Sequence, residues 1–299
     1  MNLDNLVRYV CDKNNFKSVT DYISFARFYL EFIKENLQAV IVSKNENNYR
    51  FFQYKEDGTF NITRPINSYL MYSFEEYEIY SQKFIEIIEN IKIKEIDSPE
   101  NRKIVNQIIY TSQQCIGATL DALPSKKSNT ARKINGDLFE RFIRLIILEI
   151  GIDVTQGVVS VPILIDGNIA FNMNYQHDLI LKNDGETKAI GSVKTSSKDR
   201  IDKIFIDKFL FNQLTDKNIP HFAIFLNDVQ RKGKDGKYGI NTTFLTGHFK
   251  GYTVKLNPLD GVYYCDIRPN MLKEDILKDQ IKTFDHFVFT DLWQFINKN

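Results

Sequence analysis

The chain has 299 residues, 43% hydrophobic and 13% aromatic, which is enough for a sizeable core in one large or two modest domains and excludes extended disorder. Its formal net charge is +1, so bulk charge does not mark a nucleic-acid binder, and such a role must rest on local distribution. The cysteines (Cys11, Cys115, Cys265) and the histidines (His177, His221, His248, His286) lack the spacing of a disulfide framework or a zinc site, which fits a reducing cytoplasm. No apolar run reaches membrane-spanning length, and Met1 to Asp12 lacks a signal-peptide apolar stretch.

Residues 1 to about 38 read as helical, with apolar residues at helical spacing through Phe25–Ile33. Residues 39 to 64 read as strands, from Ala39-Val40-Ile41-Val42 through Tyr49-Arg50-Phe51-Phe52 to the turn signal Asp57-Gly58. Phe51, Phe52 and Tyr54 beside Arg50 and Lys55 are read either as core or as nucleic-acid contact. Phe74 to Ile93 and Asn101 to Leu120 are two further helices, separated at Ser98-Pro99. Pro124 to Thr130 reads as a linker. The expected division is therefore a mainly helical region at 1–123 and a second domain at 131–299.

The second part opens with a helix from Gly136 to about Glu149, and Gly151 is a C-cap. Its basic residues (Arg132, Lys133, Arg141, Arg144, after Lys126 and Lys127) face Asp137 and Glu140. Val158 to Leu164 is a strand, Asp166-Gly167 a hairpin turn, and Ile169-Ala170-Phe171 its return. His177 to Leu181 is a strand, Asp184-Gly185 a turn, and Lys188 to Lys194 the next strand. A helix over Ile204 to Leu214 and a strand over His221 to Leu226 follow. The alternation implies an α/β core with a mixed sheet. Arg231 to Lys237 is a basic, glycine-containing loop that either tracks a phosphate backbone or is simply solvated.

Asp178 and Lys194 lie sixteen residues apart on strands joined by Asp184-Gly185. If the strands pair, a carboxylate and an ammonium meet at their ends. Such a pair can hold Mg²⁺ and activate water against a phosphodiester. Spacing alone fits equally a surface strand end with an exposed lysine. The polar and basic run Thr195-Ser196-Ser197-Lys198-Asp199-Arg200 comes next.

This segment resembles the type II restriction endonucleases of the PD-(D/E)xK fold. His177-Asp178 stands in the Pro-Asp place and Ser192-Val193-Lys194 in the Glu-x-Lys place. Ser192 departs from the common acid and matches the Ser-x-Lys variant of the group that reads CCGG-type and interrupted CC–GG sites. The resemblance spans residues 131 to 226. It implies a restriction-endonuclease-like core, a central mixed β-sheet flanked by helices, with a mainly helical N-terminal region carrying some strands. It implies a Mg²⁺-dependent, site-specific endonuclease for double-stranded DNA, with Asp178 a metal ligand, Lys194 the catalytic lysine and Ser192 part of the motif. That group takes its second acid from the helix after the lysine. Here the segment holds Asp202 and Asp207 but no glutamate before Glu274, so Asp207 is the first choice and Glu140, in Gly136-x-x-Phe139-Glu140, the second. Thr195, Ser196, Ser197, Lys198, Asp199 and Arg200 are implied DNA contacts, with Arg200 donating to guanine and Asp199 accepting from cytosine. Arg231, Lys232 and Lys234 are added as DNA contacts from the basic loop. A homodimer or tetramer in a bacterial cytoplasm is expected, beside a DNA methyltransferase of the same system. A repair or junction nuclease of this fold and an inactive DNA-binding protein remain alternatives.

Overall fold

The computed structural model describes residues 1–54, 62–215, 217–232 and 238–297. The turn expected at Asp57-Gly58 and the loop residue Lys234 lie outside the described residues. The helix expected over 1–38 is two helices, α1 (Leu3–Cys11) and α2 (Val19–Asn36). Capping chemistry makes the break. Asp12 accepts from the Asn14 N–H, and Ser18 forms a reciprocal capping box with Asp21. Phe16, between the two caps, drops fully into the core.

A small antiparallel sheet follows: β1 (Ala39–Val42), β2 (Tyr49–Gln53) and β3 (Ile66–Asn67). Phe51 and Tyr54 are buried, and the Tyr54 hydroxyl donates to the Ala118 carbonyl at 3.0 Å, so these aromatics are core rather than a nucleic-acid surface. α3 (Phe74–Glu89) and α4 (Pro99–Leu120) come next. α4 is buried on every side from Ile104 to Leu120, as expected of a helix at the centre of a core. Its polar residues bond across that core: the Asn106 amide donates to the Cys265 carbonyl at 2.9 Å, and Gln113 donates to Asn135.

The stretch expected as a linker is a tight connection. One 3₁₀ turn, Ser125–Lys127, leads directly into α5 (Ser128–Glu149), which begins two turns before Gly136. Tertiary packing overrides the helix-weakening Asn135-Gly136 pair, because Ala131, Ile134, Leu138, Phe142 and Ile146 form one buried stripe around it. Gly151, at φ +85°, ends the helix as expected, its N–H donating to the Leu148 carbonyl at 2.9 Å.

The central sheet has six strands: β4 (Asp153–Ile165), β5 (Asn168–Asn183), β6 (Glu186–Lys194), β7 (His221–Asn227), β10 (Gly261–Asp266) and β11 (Ile281–Thr283), with β8 (Val229–Arg231) and β9 (Ile240–Thr242) forming a separate hairpin. In space the order is β11-β10-β7-β6-β5-β4. β4, β5 and β6 are antiparallel, and β6, β7, β10 and β11 are parallel. The two hairpins turn at Asp166-Gly167 and Asp184-Gly185, all four residues at positive φ, as two-residue turns between right-twisted strands require. The segments expected at Val158–Leu164, Ile169–Phe171 and His177–Leu181 are pieces of two long strands. Together β4 and β5 project beyond β6 as an arm with exposed Val158, Leu164, Ile169 and Phe171.

One face of the sheet meets α4, α5 and the C-terminal Phe284–Phe295 segment. The other meets α6 (Ile201–Thr215) and α7 (Thr246–Lys255). The largest apolar cluster runs from Leu6 through Ile109 and Phe139 to Leu179, Phe222 and Phe287, so helices of residues 1–123 pack into the same core as the sheet.

Candidate active site

The site begins with a fault in a strand. β4 and β5 pair in register at Thr155–Ile180 and again at Gly157–His177, so β5 carries one residue more than β4 between these points. The surplus is a β-bulge at Asp178-Leu179, which turns the side chains around. Tyr175 and His177 meet Phe211 edge-on on the α6 side, whereas Leu179 and Leu181 join the core on the opposite face. The pairing of β5 with β6 also ends here, at Leu179–Gly191. The strands fork, and Asp178 sits in the fork. Its carboxylate takes the place of the missing strand, accepting from the Val193 N–H at 2.9 Å.

Lys194 is the last residue of β6, beside Phe225 of β7. Its ammonium donates to Asp178 Oδ2 at 2.5 Å and to Glu140 Oε1 at 2.7 Å. Glu140 comes from α5, whose apolar stripe fixes that helix under the sheet, with the glutamate at the edge of the stripe. Three charged groups from α5, β5 and β6 thus meet at one point. The side chains of Asp178, Glu140 and Lys194 retain 14%, 26% and 29% of their exposure, so the cluster is largely desolvated yet open to solvent.

The protonation equilibria reflect one lysine serving two acids. Burial first, and then the nearby Asp178 charge, raise Glu140 above the ordinary glutamate range, against the pull of Lys194. Burial pulls Lys194 down, but Asp178 and Glu140 outweigh it and hold its pKa above that of a free lysine. Two carboxylates against one ammonium leave the cluster with a net negative charge when all three are ionised.

The structure does not bring Asp207 into this group. It lies on α6 with its carboxylate paired to Lys203 one turn earlier, and its field reaches His177 and Tyr175. Those rings sit on the α6 side of the bulge. Ser192 is half-buried within β6, beside Ala223. The run after Lys194 divides in two. Ser196 and Ser197 turn inward onto Asp228, which is fully buried, while Lys198, Asp199 and Arg200 are exposed and Thr195 is half-buried. Arg231 is exposed and Lys232 half-buried at the end of β8. Asp228 is the residue that motif reading passed over. Its signal is an acid two residues after the apolar run His221–Leu226, at the same end of the parallel strands as Lys194.

Among the described residues, no group of three or more His, Cys, Asp or Glu side chains converges as a metal cage. The donor set at the fork nevertheless suits Mg²⁺, which is commonly held by one or two carboxylates and completes its shell with water and phosphate oxygens. Asp178 and Glu140 supply two such carboxylates, partly open to solvent and carrying unneutralised charge.

No family model matches this chain, and no curated protein matches it. Solved structures do. The type IIP restriction endonuclease Kpn2I aligns over 98% of this chain and 97% of its own, with a TM-score of 0.73 at 19% identity. The restriction endonuclease PspGI, in complex with substrate DNA, aligns over 74% of this chain and 93% of its own, with a TM-score of 0.43 at 13% identity. At such identity the likeness to Kpn2I is one of architecture, and it extends over the N-terminal helices as well as the sheet: the chain has a restriction-endonuclease-like fold.

Proposed function

We propose that the protein is a Mg²⁺-dependent type II restriction endonuclease that cuts double-stranded DNA at a short palindromic site containing G·C pairs. The observation that carries this reading is the Lys194 ammonium held between Asp178 and Glu140 at the fork of β5 and β6. Hydrolysis of a phosphodiester needs an oriented water, charge relief on the phosphate and a protonated leaving oxygen. Asp178 and Glu140 would hold Mg²⁺. The ion, when bound, supplies charge relief and lowers the pKa of a water. Lys194 orients the water and donates hydrogen bonds toward the scissile phosphate. Glu140 takes the second-acid role in place of Asp207, because Glu140 shares Lys194 with Asp178 whereas Asp207 pairs with Lys203.

The exposed Lys198, Asp199 and Arg200 read bases. Arg200 can donate to guanine O6 and N7, and Asp199 can accept from the cytosine amino group. Thr195, Arg231 and Lys232, with Lys234 beyond the described residues, serve the backbone. Residues 131–299 carry the chemistry, and residues 1–123 support them. Cutting both strands of a symmetric site calls for two copies of the active site, hence a homodimer or a pair of dimers. A methyltransferase acting on the same site protects the host, and the protein works in a bacterial cytoplasm.

The test is incubation of the purified protein with mixed-sequence phage DNA, with and without Mg²⁺, followed by sequencing of the ends. Discrete Mg²⁺-dependent fragments sharing one motif are expected. Binding without cutting points instead to an inactive DNA-binding protein, the alternative that Ser192 leaves open where the common motif carries an acid. Cutting confined to branched DNA points to a junction nuclease.

A further inference from the structure

Asp228 is a carboxylate with no exposed surface, at the C-terminal end of β7 and directly before β8. Its oxygens collect five donors. The Ser197 N–H donates at 2.8 Å, the Ser196 hydroxyl at 2.8 Å, the Thr243 hydroxyl at 3.0 Å and the Tyr264 hydroxyl at 2.7 Å; the Ser197 hydroxyl is the fifth. Burying a carboxylate without a cation is costly, and a full set of donors is what makes it tolerable. These donors come from three places in the chain. Ser196 and Ser197 belong to the run after Lys194, Thr243 follows β9, and Tyr264 lies in β10. The backbone repeats the link, since the Thr243 N–H donates to the Asp228 carbonyl at 2.9 Å and the Asn227 N–H faces the Thr195 carbonyl at 3.4 Å. At the surface, Lys198 donates to Gln230 at 3.2 Å.

The loop so held is not a relaxed one. Asp199 has φ +56°, the left-handed region that non-glycine residues seldom occupy. Ser197 closes the turn around it, its carbonyl accepting from the N–H groups of both Arg200 and Ile201 at 3.0 Å. A strained conformation persists where its surroundings over-determine it. The hairpin is braced from its far side as well. Asn45 exchanges hydrogen bonds with the Ile240 backbone, and Tyr49 and Phe51 pack with Ile240, so the small N-terminal sheet buttresses β8–β9.

We propose that Asp228 is a positioning residue that locks the Thr195–Arg200 run to the base of the β8–β9 hairpin, so that the two segments present one preset DNA-reading surface. This rests on the nuclease reading above for its functional half and on the hydrogen-bond set for its structural half. Asp228 touches no DNA. It sets the specificity of Lys198, Asp199 and Arg200 by holding the turn that carries them.

The test uses the full chain with Asp228→Asn and, as a milder variant that keeps the buried carboxylate, Thr243→Val. The first readout is amide hydrogen exchange over residues 196–201. Asp228→Asn should speed exchange there by about tenfold or more while β6 and β7 stay protected, and Thr243→Val by about threefold. The second readout is the ratio of cleavage at the preferred site to cleavage at sites with one base pair changed. That ratio should fall about tenfold in Asp228→Asn, with turnover on saturating preferred DNA changed by no more than a few-fold. A folded Asp228→Asn with unaltered exchange at 196–201, or with discrimination intact, overturns the proposal. Should Asp228→Asn fail to fold, unaltered exchange and discrimination in Thr243→Val overturn it instead. If wild type neither cuts nor binds DNA selectively, the nuclease reading has failed, and exchange alone decides whether the clamp exists.

Discussion

Lys194→Met probes the ion pairs of the fork, because methionine approximates the stem of lysine and removes its ammonium, with both the charge and the hydrogen bonds to Asp178 and Glu140. Asp178 and Glu140 would be left facing each other with no cation between them. Contacts of 2.5 and 2.7 Å each correspond to roughly 6 kcal/mol of gross attraction at an effective dielectric of about 20, most of it offset by desolvation of the ions. Removing one partner of a buried pair costs about 3–5 kcal/mol. The three side chains keep 14–29% exposure, so water screens part of this, and we expect about 2–3 kcal/mol, or a drop of roughly 5 °C in melting temperature. The assay is thermal unfolding in EDTA and again with Mg²⁺. The variant site carries one more unit of negative charge, so Mg²⁺ should raise its melting temperature more than that of wild type. A site filled at a hundredfold over its Kd gains about 2.7 kcal/mol. On the proposed nuclease function, in which Lys194 serves the scissile phosphate, cleavage should fall by about a thousandfold or more. Equal melting of both proteins in EDTA would refute the ion-pair geometry. No effect of Mg²⁺ on either would refute Asp178 and Glu140 as its ligands.

Glu140→Gln should abolish cleavage, whereas Asp207→Asn should leave it within a few-fold of wild type, since Asp207 pairs with Lys203 away from the fork; single-turnover rates on a cleaved DNA decide, and the reverse pattern would return the second-acid role to α6. Asp266 offers a pH test independent of function. Burial raises its pKa to about 6, against hydrogen bonds from Tyr49 and Asn67 that lower it. A folded-state pKa above the unfolded value of about 3.9 means that this contribution to stability is complete below pH 4 and lost as pH rises through about 6, roughly 3 kcal/mol over the window. Denaturant titrations from pH 4 to 7 should show Asp266→Asn lacking that decline, and parallel pH profiles for the two proteins would contradict it.

The elements most legible in the sequence were those with local causes. Asp166-Gly167 and Asp184-Gly185 each require two successive residues at positive φ, and that chemistry marks hairpins without tertiary context. The helix end at Gly151 is of the same kind. Where tertiary packing decides, the pattern misleads. Asn135-Gly136 looks like a helix start, yet α5 runs through it because Gln113 satisfies Asn135 and the stripe around it is buried. Asp12 and Ser18 interrupt a periodicity that reads as helical through about residue 38. The strand Gly261–Asp266 is buried at every position, so it shows no alternation to read.

The site shows the same division at finer scale. Asp178 and Lys194 could be paired from sequence because a tight turn joins their strands. The identity of the second acid could not, because it depends on which face of the sheet the carboxylate of Asp178 serves. In an unbroken strand Asp178 would keep to the alternation set by Tyr175 and His177. That alternation already puts its carboxylate opposite the Tyr175 and His177 rings, toward the edge shared with α5, and the extra residue at the bulge brings Leu179 and Leu181 onto that same face. An acid on α6 then finds histidine and tyrosine rings, and one on α5 finds Lys194. Deleting Leu179 would therefore do more than shorten a strand: it would remove the bulge, return the fork to regular pairing and take the Asp178 carboxylate off the Val193 N–H that it now caps.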